Sequence, residues 1–483
     1  MLEKYGQLEH RLAGEQQTFA RPLRSVLQRA PVTCAREHTL AEVAALMREE
    51  GVGSVVVADA DGLPIGIVTS HDMVGVVAED TRVRTVEAAM SRDPVMLSAN
   101  AFAYEAAVTM LARRIRHVLV MDEGRLAGVV SERDLFSLQR LGLGEITMEL
   151  RLAGSIPVLT GLAAEVRKLA RRLVAQGVAP EQLTLFVSVL NDRLSQRAIE
   201  IVRKRHDLER ISWSWLAFGS EGRFEQTLAT DQDNGLIFEA HDNATPVQVR
   251  ARLLPFAHDV NQALDACGFP LCKGNVMASN AELCLSLDEW RAKMKGWIEV
   301  SMPKALLDAA ICFDFRPLYG DAPLVGALRD WVGDRIKSHP AFLRHMADSA
   351  LRARAALNRF GGFATEDVPD APDSVNLKTN GARIFVDAAR IYALAKGLPQ
   401  TNTVERLRAA LGGTGADLAS TVEAFYLIQR LRLVAQLQLP ETGNAAVNRI
   451  APARLDRVTQ AALKEALRVA KELQDRLALD YQL

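Results

Sequence analysis

Cysteine is scarce and poorly placed for cross-linking. Cys34, Cys267, Cys272, Cys284 and Cys312 are odd in number and form no C-x-x-C pair. That argues against a disulfide framework and a cysteine-rich zinc site, and reads as reduced core thiols. A basic excess is also lacking: 58 Lys and Arg face 59 Asp and Glu, a formal net charge of −1. Proteins that coat nucleic acid or lie on a membrane surface usually show the opposite, so neither partner is expected. No run approaches about 18 consecutive apolar residues, the length a spanning helix needs. The polar start MLEKYGQLEHRLAGEQQ lacks the apolar stretch of a secretory signal. These absences predict a soluble cytoplasmic protein. What is present is an ordinary globular balance, 49% hydrophobic and 24% charged, in 483 residues, a chain too long for one hydrophobic core.

An internal repeat organises the N-terminal part. GIVTSHDM at 66–73 returns as GVVSERDL at 128–135, each preceded by a helical stretch and an apolar strand. The strand pairs turn at Asp59-Ala60-Asp61-Gly62 and at Asp122-Glu123-Gly124, where hairpin chemistry wants such residues. Two half-sized units of this kind would bury their open faces against each other. In Gly66-x-x-Thr69-x-x-Asp72 and Gly128-x-x-Ser131-x-x-Asp134 a hydroxyl and a carboxylate lie where a strand enters a helix. Such a helix start suits a phosphate, and the carboxylate can accept from ribose hydroxyls. The same residues also read as N-caps with a dipole-easing acid at N3, and both readings can hold together.

On these residues the stretch from about 22 to 138 resembles a tandem CBS (Bateman) module, and neither copy departs from the G-x-x-[TS]-x-x-D signature. The resemblance implies an adenine nucleotide such as AMP or ATP as regulatory ligand, held by Gly66, Thr69, Asp72, Gly128, Ser131 and Asp134. It also implies a homodimer formed through the CBS pair.

From about 140 to 207 the pattern is helical, with apolar residues every three or four positions. Next, Gly219-Ser220 closes an apolar run, and Asp231-Gln232-Asp233 leads into Leu236-Ile237-Phe238. Alternate residues of an extended chain point to one side, so Asp231 and Asp233 aim at one point. Carboxylates that close repel unless a cation intervenes, and hard oxygen ligands with phosphate suit Mg²⁺ or Mn²⁺. Two metals about 3.5–4 Å apart could activate a nucleophile and stabilise leaving pyrophosphate. Gly219 lets backbone approach a triphosphate, Ser220 can donate to it, and Arg223 adds charge where the leaving group develops it.

GSEGRFEQTLATDQDNGLIF resembles the polymerase-β nucleotidyltransferase superfamily, and more narrowly a bacterial family of CBS-associated nucleotidyltransferases. PII uridylyltransferase and glutamine-synthetase adenylyltransferase are relatives. The likeness runs from about 140 to the C-terminus and includes NLKTNGARIFVDAARIYAL. It implies transfer of a nucleoside monophosphate from an NTP to an acceptor hydroxyl, with a regulatory protein as a candidate acceptor. The rival is a nucleotide-sensing signalling protein whose transferase domain is degenerate. Many relatives carry a cyclic-nucleotide-binding domain; none is read here, so no cyclic-nucleotide input is expected.

The superfamily usually adds a third carboxylate from a later strand, and Asp314 in CFDFRPLYGD is the candidate. Its alternative is a buried pair with Arg316 or a lysine. Lys378 and Arg383, with Asn380, Asp387 and Arg390, fall near one face of a helix. They could reach the triphosphate, or could form ion pairs at i,i+3 and i,i+4. The expected architecture is α+β and multidomain: an N-terminal helical segment (1–21), the CBS pair (22–138) and a helical connector (139–207). A mixed-sheet nucleotidyltransferase domain (208–335) and a helical C-terminal bundle (336–483) follow.

Overall fold

The repeat in the sequence becomes two copies of one small sheet in the computed structural model, which describes residues 22–27, 29–78, 85–113, 115–137, 143–175, 177–240, 244–300, 310–412, 416–437 and 445–483. The expected N-terminal helix over 1–21 lies outside these residues. The chain divides into two units, Met1–Glu145 and Ile146–Leu483.

In the first unit, β1 (Thr33–Ala35), β2 (Ser54–Ala58), β3 (Pro64–Thr69) and β4 (Ser91–Arg92) form one sheet in that order, with helices α1 (Leu40–Glu49) and α2 (Ser70–Ala78). The second copy has β5 (Met96–Ser98), β6 (His117–Asp122) and β7 (Arg125–Ser131), with α3 (Ala103–Arg113) and α4 (Glu132–Ser137). Each apolar strand pairs antiparallel with its motif strand. Glu123 and Gly124 turn the second hairpin at φ 47° and 80°, the two positive values of a type I′ turn. Val56 and Ile67 of the first copy pack against Leu119 of the second. The faces each copy would leave open thus bury one another.

In the second unit α5 (Ile156–Ala175) and α6 (Pro180–Arg203) pack together through buried leucines and valines. Next come β8 (Ser212–Ala217), β9 (Asn234–Glu239), α7 (Pro246–Ala266), β10 (Cys284–Ser286), α8 (Leu287–Val300), β11 (Arg316–Gly320) and α9 (Ala322–Lys337). The sheet order is β10-β9-β8-β11, with β10 parallel to β9 and the other pairs antiparallel. The segment GFPLCKGNVMA has irregular backbone although its apolar residues suit a strand, and Ala310–Asp314 is a 3-10 turn ahead of β11.

Helices α10 (Pro340–Ala350), α11 (Arg383–Ala395), α12 (Thr403–Leu411), α13 (Ala416–Leu437) and α14 (Arg457–Asp480) complete the unit. This part is not purely helical, because β12 (Glu366–Val368), β13 (Ala371–Asn376) and β14 (Arg449–Ile450) form a small sheet. Helix α14 buries Leu463, Leu467, Ala470, Leu473 and Leu477. Val458 is 79% exposed in the first turn, ahead of the buried stretch. The expected α+β multidomain architecture is the one observed.

Candidate active site

Antiparallel pairing of β8 with β9 sets Ala217 opposite Asn234. The residues leaving one strand therefore meet those entering the other, and the Phe218 amide donates to the Asp233 carbonyl at 2.9 Å. Gly219 to Gly222 then make one helical turn. Gly219 has φ 53°, and a Cβ there would stand 2.9 Å from Asp233 Oδ2 and from the Ile311 side chain. Gly222 is equally constrained: a Cβ would run into the Asp314 carbonyl. Glycine is needed at 219 for the turn to sit against Asp233, and at 222 for it to sit against the Asp314 backbone. Ser220 is half-buried beside it.

The residues between the acids explain why the acids share a side. Gln232 and Asn234 are 3% and 1% exposed, whereas Asp231 is exposed and Asp233 half-buried. The segment alternates as a strand would, although only from Asn234 onward is it one. Burial, then repulsion from Asp231, pushes the Asp233 carboxyl up to about 7; Lys378, Cys272 and Arg223 work against that rise. The Cys272 thiol donates to Asp233 Oδ1 at 3.6 Å. Lys378 is exposed, on the turn Lys378–Ala382 that precedes α11. A pair of carboxylates of which one resists ionisation is a donor set that a divalent cation would complete. Among the described residues no three His, Cys, Asp or Glu side chains form a ready metal cage. Remaining coordination would fall to phosphate oxygens and water.

Asp314 does not stand where a third metal ligand would. It is 0% exposed and lies at the end of the 3-10 turn, not in a strand. Its Oδ1 accepts from Arg390 at 2.9 Å and Arg406 at 2.5 Å, and its Oδ2 from Arg390 and Arg223, each at 2.6 Å. Arg390, Arg406 and Arg223 overcome the cost of burial and hold it far below the usual carboxylate range. A carboxylate saturated by three arginines has no oxygen left for a metal or a proton, so the expected catalytic role does not fit this position. Nor does it pair with Arg316, whose guanidinium bonds Asp192 at 2.7 Å and lies over the Phe224 ring at 3.7 Å. Asp314 instead ties the Gly219 turn, through Arg223, to α11 and α12.

Arg223 likewise departs from its expected role. Its Nε donates to Glu225 at 2.9 Å and its Nη1 to Asp314, leaving the side chain 11% exposed. It acts on Asp233 through its field, not as a free phosphate donor. Arg383 pairs with Asp387 at 3.1 Å, and Arg390 with the same carboxylate at 2.6 Å. The ion-pair spacing on this helix is thus realised, and Arg383 lines a small recess with Ser349, Asp387 and Arg390.

Sequence reasoning missed several residues here. Cys272 read as a core thiol but is half-buried against Asp233, while the other four cysteines are buried. Glu221, in the same turn, is buried, and burial first, then Asp192, push its carboxyl up to about 8. Gln232, between the two acids, could have been found from alternation alone.

In the first unit both motifs form the same small structure. The Thr69 amide and hydroxyl donate to Asp72 Oδ2 at 2.8 and 2.7 Å. Ser131 donates to Asp134 Oδ2 at 2.8 and 2.6 Å. The cap geometry is therefore present in both copies. Gly66 and Gly128 sit hard against Met90 and Leu27, which leaves no room for a Cβ. His117, opposite Ser131 in the β6–β7 register, feels both Asp134 and Asp72, yet burial holds its pKa below the ordinary value.

Comparison with known proteins follows the same division. The CBS domain model matches residues 23–79 and 83–140. The model described as "Putative nucleotidyltransferase DUF294" matches 164–304, and "Putative nucleotidyltransferase substrate binding domain" matches 340–481. Inosine-5'-monophosphate dehydrogenase of Mycobacterium bovis is 33% identical over 150 residues, 31% of this chain. The chain spans about a quarter (27%) of that protein's length. Hypoxic response protein 1 of Mycobacterium tuberculosis is 33% identical over 113 residues, 23% of this chain and 79% of its own. A solved CBS domain protein from Pyrobaculum aerophilum complexed with AMP is 27% identical, with a TM-score of 0.24 over 26% of this chain and 99% of that one.

Proposed function

Since the chain belongs to the family of CBS-domain-containing nucleotidyltransferases described as DUF294, we propose that it moves a nucleoside monophosphate from an NTP to an acceptor hydroxyl. One observation carries this reading: the Asp233 carboxylate lies against Gly219, and Asp231 is near enough to repel it, so the paired acids meet the glycine turn. Asp231 and Asp233 would hold Mg²⁺ or Mn²⁺, which when bound supplies charge stabilisation to the departing pyrophosphate. Gly219 and Ser220 orient the phosphates through close backbone approach and a hydroxyl donor. Lys378 stands at the rim, where a mobile ammonium can follow the triphosphate. The acceptor oxygen bonds to the α-phosphorus as the bond to the bridging oxygen breaks, pyrophosphate leaves with that electron pair, and the acceptor's hydroxyl proton passes to water.

The acceptor is proposed to be a regulatory protein, bound by the part of the chain that matches the substrate-binding model. Adenine nucleotide at Thr69–Asp72 and Ser131–Asp134 is proposed to regulate the reaction, in a homodimer formed through the CBS pair. Regulation requires the nucleotide to prefer one conformation over another.

One feature favours a rival reading. With Asp314 sealed by arginines, two acids remain where the superfamily usually brings three, as expected of a sensor that binds NTP without turnover. Incubation with labelled NTPs, Mg²⁺ and cell extract separates the two. Label on a macromolecule that disappears in Asp231→Asn supports transfer. NTP binding with neither label nor pyrophosphate release supports the sensor.

A further inference from the structure

Three buried amides lie directly behind the two acids. Gln232 Nε2 donates to the Asn261 carbonyl at 3.0 Å and the Phe269 carbonyl at 2.8 Å. Asn261, on α7 and 1% exposed, donates through Nδ2 to Gln232 Oε1 at 2.7 Å and to Asn234 Oδ1 at 3.0 Å. The Ser279 amide donates to Asn261 Oδ1 at 3.0 Å, and the Ala278 amide to Asn234 Oδ1 at 2.8 Å. Both N–H bonds of Gln232 and both of Asn261 are therefore spent.

Backbone bonds run alongside. Gln232 donates to the Pro270 carbonyl and Asn234 to the Val276 carbonyl, each at 3.1 Å. The segment 269–279 has no ladder of its own, and these contacts supply the partners its irregular backbone needs. That segment is the wall carrying Cys272 against Asp233. A satisfied buried amide network has one low-energy arrangement, because every slip leaves a desolvated donor or acceptor unpaired.

We infer that the Gln232–Asn261–Asn234 network is a positioning latch that fixes Asp231, Asp233 and the 269–279 wall in the arrangement that binds a divalent cation with NTP. The inference rests on the proposed transfer reaction. Neither Gln232 nor Asn261 touches substrate; both act through the acids. The network turns the even-numbered side chains inward, which leaves the acids no other side to face. It also pins the wall from both ends, at Phe269–Pro270 and at Val276–Ser279.

The test uses the full chain with Gln232→Met and Asn261→Leu, substitutions that keep bulk and remove hydrogen-bonding groups. NTP affinity is measured with and without Mn²⁺, and Cys272 is labelled with a maleimide in the native protein. The variants are expected to melt cooperatively and to keep metal-free NTP affinity. They should lose at least about tenfold of the Mn²⁺-dependent tightening, as outer-shell partners of metal ligands do. Cys272 should label faster as the wall loosens. A variant that folds, keeps wild-type Mn²⁺ dependence and labels at the wild-type rate overturns the latch. Should both variants fail to fold, Gln232→Asn, one methylene too short to span the Asn261 and Phe269 carbonyls, carries the same two readouts. Wild-type protein whose NTP binding ignores Mn²⁺ overturns the transfer reading itself, and the latch's role in cation binding with it.

Discussion

Replacing Asp233 by Asn should stabilise the metal-free protein, and do so only where the aspartate would ionise. Burial and the neighbouring Asp231 raise the Asp233 carboxyl from 3.8 to about 7. A group raised in the folded state contributes stability that is complete below about 3.8 and lost as pH climbs through about 7. At about 1.4 kcal/mol per pKa unit, the full loss would approach about 4 kcal/mol. Solvent reaches part of this half-buried side chain and screens the charge, so about 2 kcal/mol is the expected size. Between pH 5 and pH 8 the gap between Asp233→Asn and wild type should widen by about 1–2 kcal/mol, a few degrees in Tm. Differential scanning calorimetry in chelator, across pH 4 to 9, reads it directly. Adding Mn²⁺ and NTP should reverse the order above pH 7, because the wild type gains binding energy that the variant cannot. A gap that does not change with pH, or a metal-free variant less stable than wild type at pH 8, would refute the electrostatic account of the site.

Other outcomes follow from the same contacts. Asp314→Asn strips the counter-charge from buried Arg390 and Arg406 and from the largely buried Arg223, and should cost about 3–5 kcal/mol; a large fall in Tm without NTP present checks it. Gly219→Ala forces a Cβ into Asp233 at positive φ, so the NTP-dependent rise in Tm should vanish while the melt stays cooperative. Asp72→Ala with Asp134→Ala should remove a cap-region carboxylate from each repeat at about 1 kcal/mol apiece. It should also abolish any AMP- or ATP-induced shift of the full chain. If the nucleotide shift survives that double variant, the motifs are caps alone.

Much of the fold was legible because its signals are local. The duplicated G-x-x-[TS]-x-x-D segments, the Asp-Glu-Gly turn and the helical periodicity each fix a short stretch with little help from elsewhere. The Gly-Ser turn and the alternating acids were legible for the same reason. Errors came where distant chain supplies the partner. GFPLCKGNVMA holds apolar residues that suit a strand, yet its backbone bonds go to Gln232, Asn234 and α7, so it stays irregular. Asp314 and Arg316 alternate as strand residues should, but the arginines that claim Asp314 lie 76 to 92 residues later and 91 earlier.

The sequence by itself determined that two adjacent acids would face one side, opposite a turn only glycine permits, and that a duplicated cap motif would open two helices. Spacing of two, three or four residues along one strand or helix start decides such things. Only the tertiary structure decided which charges stay available for chemistry. Asp314 and Arg223 look free in sequence, yet Asp314 is spent on Arg223, Arg390 and Arg406, and Arg223 on Asp314 and Glu225, whereas Asp233 accepts from the Cys272 thiol. A buried charge must be neutralised by whatever the fold brings within about 4 Å, and no local pattern records that partner.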